Sequence, residues 1–152
     1  MTIHYKQIIV AVDGSKEAEW ALEKSIGIAK RNDAQLNIVT VIDPRVDAIE
    51  VYDRQYADLS HKRCEELLGK YRQRAEAAGV QKVNTLVSVG SPKKAISRDI
   101  AKKIHADLIV CGATGHSNME RFLIGSVSES IVRTSACDVL VVRTEEAAEV
   151  NT

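Results

Sequence analysis

Three glycines and a serine in the C-terminal third of the chain carry the clearest chemical signal in the sequence. Gly112 and Gly115 follow an apolar run at 108–111, and Gly125-Ser126 comes directly before a segment with helical spacing. The first N–H groups of a helix have no intrahelical partner and carry partial positive charge. Glycines beside them let an anion approach the backbone closely. The pattern therefore favours phosphate binding, although each glycine alone also suits a simple turn.

Asp13 is a second candidate for ligand contact. It follows an apolar, β-branched run at 8–12 and precedes Gly14-Ser15, whose serine can cap the next helix. The Asp13 carboxylate could accept hydrogen bonds from a ribose hydroxyl or a base amine. It could equally bond the Ser15 backbone and only shape the turn. The sequence leaves both interpretations open.

Other polar side chains near the glycines are weaker candidates. His116 lies in the loop between Gly115 and Gly125, where polar groups are common and usually solvated. Ser126 could contact a phosphate, cap its helix, or do both. Arg133 is typical of a solvated or paired charge.

Apolar runs and helical stripes alternate along the whole chain. The patterns predict strands at 8–12, 36–42, 83–89, 108–111 and 139–142, with helices following residue 15, over 46–78, from 92 and over 126–135. Such alternation is typical of a single-domain, doubly wound α/β fold with a parallel sheet and helices on both faces. We expect one domain over 1–144 and a short, loose tail at 145–152. The third strand alternates apolar and polar residues, which places it at a sheet edge.

The fold predicted in this way also predicts where a ligand lies. In parallel sheets, ligands bind beyond the carboxyl ends of the strands, where the strand order reverses. If the first and fourth strands are neighbours, the turns containing Asp13 and Gly112 line one crevice.

Composition and missing motifs exclude several functions. Lys plus Arg and Asp plus Glu each total 21 of 152 residues, and aromatic residues are 4%, so we expect neither nucleic acid nor membrane partners. The three cysteines are far apart and suit reduced thiols in the cytoplasm. The sequence holds no P-loop, no Gly-x-Gly-x-x-Gly after the first strand and no nucleophile elbow. We therefore expect no efficient catalysis, and no catalytic or metal-ligating residue is assigned.

The spacing of the glycines resembles the signature of a known family. Gly112-x2-Gly115-x9-Gly125-Ser126 matches the Gly-2x-Gly-9x-Gly-Ser/Thr signature of the ATP-binding subgroup of the universal stress proteins. The segments 9–15, 89–92, 106–110 and 138–142 resemble further landmarks of that family. The similarity therefore covers nearly the whole chain.

The resemblance implies a five-stranded sheet in the order 3-2-1-4-5, Rossmann-like and similar to the adenine nucleotide alpha hydrolases, with ATP in the crevice. It implies that Asp13 and the backbone near Val41 meet the adenosine, and that Gly112 and Gly115, with His116 nearby, line the ribose and phosphates. The residues implied to bind phosphate are Gly125, Ser126, Val127 and Ser128. A divalent cation, Mg²⁺ or Mn²⁺, would be carried by the phosphates.

The resemblance also predicts how the protein works. We expect an ATP-binding stress-response protein in which nucleotide occupancy governs contact with an unidentified protein partner. One alternative is a slow ATPase or autophosphorylating enzyme, and another is a dimeric interaction module with a merely structural glycine loop. We expect a homodimer through the edge strand Val139–Val142, because an apolar sheet edge must be covered. The alternative cover for that edge is the C-terminal tail.

Overall fold

Five parallel strands in the order β3-β2-β1-β4-β5 form the centre of the molecule. The computed structural model describes residues 4–43, 54–113 and 124–144. The strands are β1 (Gln7–Ala11), β2 (Gln35–Ile42), β3 (Lys82–Val89), β4 (Leu108–Gly112) and β5 (Asp138–Val142). Both the predicted α/β class and the implied strand order are confirmed, and β1 lies between β2 and β4.

The helices connect these strands and cover both faces of the sheet. They are α1 (Lys16–Asn32), α2 (Arg54–Ala77), α3 (Pro92–Lys94), a π-helical segment (Ala95–Ile100), α4 (Ala101–Ile104) and α5 (Ser126–Thr134). The serine cap predicted for α1 is confirmed, because Ser15 Oγ accepts a 3.2 Å hydrogen bond from Ala18 N–H. The predicted start of α2 near residue 46 falls in 44–53, outside the described residues.

Alternation along β1 divides the core into two layers. Ile8 and Val10 pack on one face of the sheet beneath α1 and α2. Ile9 points to the other face and packs with Ile96 and Ile131 from the helical elements there. All of these side chains are buried. Because helices cover both faces of the sheet, β1 carries a continuous apolar run.

The helical stretch at 92–104 differs from the expected regular α-helix. It begins at Pro92 as predicted, but Ala95–Ile100 forms a π-helix before α-helical geometry resumes. Ile96 and Ile100 are buried against the sheet. Because both helix types can place residues four apart on the buried side, apolar spacing alone did not distinguish them.

The two edges of the sheet differ in exposure. The predicted edge position of β3 is confirmed, and its Leu86 and Val89 side chains are exposed. At the other edge, Val139, Leu140 and Val141 of β5 are half-buried. Of the helices in the described ranges, none is long and apolar enough to cross a membrane.

Candidate functional site

A cavity of about 300 Å³ lies at the carboxyl ends of β1 and β4, beside the start of α5. Seven of the nine predicted site residues line it. They are Asp13, Val41, Gly112, Gly125, Ser126, Val127 and Ser128. The other two, Gly115 and His116, lie outside the described residues. The crevice predicted between the turns that follow the first and fourth strands is therefore present.

The turn after β1 forms one wall of this cavity. The Asp13 carboxylate accepts hydrogen bonds from Ser15 N–H, at 3.0 Å, and from the Ser15 hydroxyl, at 2.5 Å. Gly14 takes a φ of 85°, a conformation that costs a glycine little. The turn-shaping role considered for Asp13 is confirmed, and its contact with a ligand stays a prediction.

Two hydrogen bonds join the end of β4 to the start of α5, and a third joins it to the end of β5. Ser128 Oγ donates to the Gly112 carbonyl oxygen at 2.5 Å. Gly125 N–H donates to Ala113 O at 2.6 Å, and Ala113 N–H donates to Val142 O at 2.9 Å. These bonds fix the position of the α5 N-terminus against the cavity. They also give the Ser128 hydroxyl proton a partner within the protein.

Gly112 allows α1 to pack closely against this junction. A Cβ atom at Gly112 would lie 3.0 Å from the backbone carbon and oxygen of Glu17 in the first turn of α1. Any side chain here would push α1 away from β4. The glycine is therefore needed for packing, whatever its contact with a ligand.

Among the residues that the structure describes, no side chain caps the N-terminus of α5. Gly125 is the N-cap residue, and Ser126 is the first helical residue, so the idea that Ser126 caps this helix is wrong. The first intrahelical bond runs from Glu129 N–H to Gly125 O, at 2.9 Å. The N–H groups of Ser126, Val127 and Ser128 therefore have no partner within the helix. Since these residues line the cavity, the arrangement suits an anion.

Apolar side chains form the opposite wall. Val41 at the end of β2 lies with Pro92 and Ile96 around the cavity. Such a surface suits a flat, weakly polar group such as a nucleobase. Sequence reasoning missed Pro92 and Ile96. The position of Pro92, just after the carboxyl end of β3, was the available signal, because it places the start of the helix at the same end of the sheet.

Comparison with known proteins decides the family. The model of the universal stress protein family matches residues 4–143. The chain belongs to this family. A Staphylococcus epidermidis protein that carries the universal stress protein name is 55% identical over 148 residues, or 97% of this chain and 89% of the relative.

Solved structures of the family share the fold. Universal stress protein UspA from Lactobacillus plantarum superposes with a TM-score of 0.80 at 30% identity, covering 93% of this chain and all of that one. A universal stress protein in complex with cAMP superposes with a TM-score of 0.69 at 31% identity, covering 93% of this chain and 98% of that one.

In this universal stress protein a second cavity, of about 640 Å³, adjoins the first. The two share Asp13, Val41 and the start of α5, and the second adds two cationic side chains, Arg63 from α2 and Lys93 from α3. Neither cation was among the predicted site residues. Lys93 could have been found from its place beside Pro92, whereas Arg63 depends on how α2 packs.

Titration of the site involves a cysteine. Burial raises the pKa of the Cys111 thiol, and a hydrogen bond with Ser128 partly offsets that rise. Cys111 therefore stays a neutral thiol at physiological pH. In the described ranges, no three His, Cys, Asp or Glu side chains form a group that could hold a metal ion.

Proposed function

We propose that this universal stress protein binds ATP in the cavity between β1, β4 and α5, and that occupancy governs contact with a protein partner. One observation carries the proposal. Glycines of the signature, Gly112 and Gly125, meet the uncapped N-terminus of a nine-residue helix in one cavity. Such a helix start offers N–H donors and partial positive charge to a phosphate.

The phosphates would lie against the start of α5. Main-chain N–H groups of Ser126, Val127 and Ser128 would donate to phosphate oxygens, and Gly125 would permit close approach of the backbone. Gly115 would belong to the same part of the site. The Ser128 hydroxyl already donates to Gly112 O, so its contribution would come from its main chain.

The adenosine would lie toward β1 and β2. Val41 and Pro92 supply an apolar surface for the base, and the Asp13 carboxylate can accept a hydrogen bond from a ribose hydroxyl. A carboxylate repels phosphate, so its position also favours this orientation of the nucleotide. The adjoining cavity, with Arg63 and Lys93, gives the ligand further space. His116 would lie near the ribose and phosphates.

A divalent cation, Mg²⁺ or Mn²⁺, would enter with the nucleotide. It would neutralise part of the phosphate charge. The residues of the cavity supply one carboxylate, Asp13, among the described residues, so the phosphates would provide most of the ligands.

Cyclic AMP is a second candidate ligand. One structural relative at 31% identity was solved in complex with cAMP. Both nucleotides share the adenosine, so the apolar wall and Asp13 would serve either one. They differ in charge, and the row of N–H donors at α5 favours the more highly charged triphosphate.

The proposed assembly is a homodimer through β5, acting in the cytoplasm. The strand β5 lies at an edge of the sheet, and its residues Val139, Leu140 and Val141 are half-buried. An unpaired edge strand exposes N–H and C=O groups. Pairing with the same strand of a second copy would satisfy these groups with twofold symmetry.

Identification of the nucleotide that co-purifies with the protein tests the proposal. The protein is purified rapidly at low temperature without added nucleotide, denatured, and its supernatant resolved by ion-exchange chromatography and mass spectrometry. ATP at a substantial fraction of one molecule per subunit supports the proposal, and cAMP in its place favours the second candidate. A nucleotide-free protein that also fails to bind added ATP would indicate an interaction module instead. Slow single-turnover hydrolysis of bound ATP would indicate the enzyme alternative.

A further inference from the structure

A separate cavity of about 460 Å³ opens at the other end of the sheet. Ala106 precedes β4 and Cys137 precedes β5, so these lining residues mark the amino ends of the strands. The proposed nucleotide cavity lies at the carboxyl ends. The two cavities share no lining residue.

Three basic side chains lie around the cavity at the amino ends of the strands. Arg98, Lys102 and His105 are spaced four and three residues apart, and all three line the cavity. All three residues are exposed. None of their side chains makes a hydrogen bond or an ion pair with the residues that the structure describes. Their donors are therefore available to an anion from solvent.

The remaining wall is small and polar. Ala101, Ala106 and Ala136 leave the space that the cavity occupies. Ser97 Oγ and Thr134 Oγ1 lie 2.8 Å apart and join the helical stretch at 92–104 to α5. Ser97 Oγ also lies 2.9 Å from Lys93 O, and Thr134 Oγ1 lies 2.7 Å from Ser130 O. Both hydroxyls therefore have acceptors within the chain, and the basic side chains are the groups that can donate to an anion.

Two acidic groups near the amino ends of β4 and β5 have other partners. Asp107 accepts hydrogen bonds from Lys6 N–H, at 2.8 Å, and Gln7 N–H, at 3.1 Å. Asp138 accepts one from the Tyr5 hydroxyl at 2.7 Å. Burial first, and then these two carboxylates, raise the pKa of Cys137. Neither carboxylate lines the cavity, so the charges on its wall are basic.

We propose that this cavity binds a small organic phosphate. The planar guanidinium of Arg98 can donate two parallel hydrogen bonds to a phosphate, with Lys102 and His105 adding further donors. The volume of the cavity lies in the range of small-molecule sites, and the surface formed by Ala101, Ala106 and Ala136 accommodates the organic part of the ligand. Consecutive residues of the π-helical segment line two different cavities. Ile96 lines the proposed nucleotide cavity, and Ser97 lines the cavity at the amino ends of the strands. Such segments occur frequently at functional sites.

An NMR titration of the full chain tests the proposal, with inorganic phosphate and then glycerol 3-phosphate as probes. Saturable shifts at Arg98, Lys102 and His105 are expected for both. Replacing the two longer cations together, Arg98→Gln with Lys102→Gln, should raise the dissociation constant about tenfold or more, since hydrogen bonds between charged groups are lost. Lys103→Gln is the matched control, because Lys103 is an exposed neighbour that does not line the cavity. It should leave the affinity unchanged.

Several outcomes would overturn the proposal. Shifts that stay linear to tens of millimolar would mean no site, and an unchanged affinity in the double variant would mean that other residues bind the anion. Saturation confined to Ser126, Val127 and Ser128 would assign phosphate to the nucleotide cavity alone. The spectrum of the double variant away from the cavity reports whether its fold is intact.

Discussion

The Ser128 hydroxyl donates a 2.5 Å hydrogen bond to the main-chain oxygen of Gly112, and so joins the first turn of α5 to the end of β4. These two residues are sixteen positions apart in the sequence, and the residues between them include part of the glycine signature. The bond holds the helix N-terminus beside the cavity. A residue that the resemblance assigns to phosphate binding thus also builds the site.

Ser128→Ala tests this structural role. Ser128 is 6% exposed, and its removal leaves the oxygen of the half-buried Gly112 without this donor. We expect the free energy of unfolding to fall by about 1 kcal/mol, which corresponds to a melting temperature lower by about 2–4 °C. Ser130→Ala, in the same helix, is the control, because the Ser130 side chain makes no hydrogen bond with the residues that the structure describes. Equal melting temperatures of the two variants in calorimetry would contradict the role of Ser128.

Gly112→Ala tests the close packing of α1 against β4. Its Cβ atom would lie 3.0 Å from the Glu17 backbone, which cannot rotate away as a flexible side chain would. We expect a loss of about 1–3 kcal/mol in urea denaturation, the range for overpacked sites. Gly69→Ala is the matched control, since nothing lies within 4 Å of its Cβ position in α2. That change should be neutral or stabilising. A Gly112→Ala protein of unchanged stability would show that α1 yields without cost.

Cys111 predicts a dependence of stability on pH. Burial raises the pKa of its thiol, so the unfolded chain loses this proton first, near pH 8.5. The stability contributed by the neutral thiol is complete below that pH, and is lost as the pH rises toward the folded-state pKa. Above about pH 8.5, the free energy of unfolding should therefore fall less steeply in Cys111→Ala than in the unmodified protein. Urea denaturation from pH 7 to 10 measures both slopes. Equal slopes would mean that Cys111 ionises alike in both states.

Proline at a chosen position tests the proposed dimer through β5. Val142 O accepts from Ala113 N–H beside β4, so alternation directs the peptide groups of Leu140 toward β4 and those of Val141 outward. Val141→Pro should release monomers with a preserved core, whereas Leu140→Pro should damage the sheet itself. Light scattering at tens of micromolar, with circular dichroism, distinguishes these effects. An unmodified protein that is monomeric at that concentration would contradict the dimer.

Much of the fold was readable from local pattern. The apolar run at 8–12 predicted a buried strand, and alternation along β3 predicted a sheet edge. Both are confirmed. The strand order came from the family resemblance, because periodicity does not say which strands are neighbours. The π-helical segment was missed, since the spacing of Ile96 and Ile100 fits either helix type.

The glycines that line the candidate site could be predicted from the sequence, but its cationic residues could not be predicted as easily. The turns after β1 and β4 could be placed together because carboxyl ends of parallel strands share one edge. Arg63 lies twenty-one residues beyond the end of β2 and reaches that edge only through the packing of α2, which no local pattern encodes. Gly125 replaces Ser126 as the N-cap because the helix begins one residue earlier than a cap at Ser126 would require.

Calorimetric titration with ATP and Mg²⁺ tests the proposed nucleotide site most directly. The account predicts saturable binding by the unmodified protein, with about 2.7 kcal/mol of added stability at one hundred times the dissociation constant. Gly125→Val should weaken binding more than about a hundredfold, because two hydrogen bonds to charged oxygens are lost. Gly69→Val, in open space on α2, should bind as the unmodified protein does. The absence of both binding heat and a melting shift at millimolar ATP, or normal binding by a folded Gly125→Val protein, would contradict it.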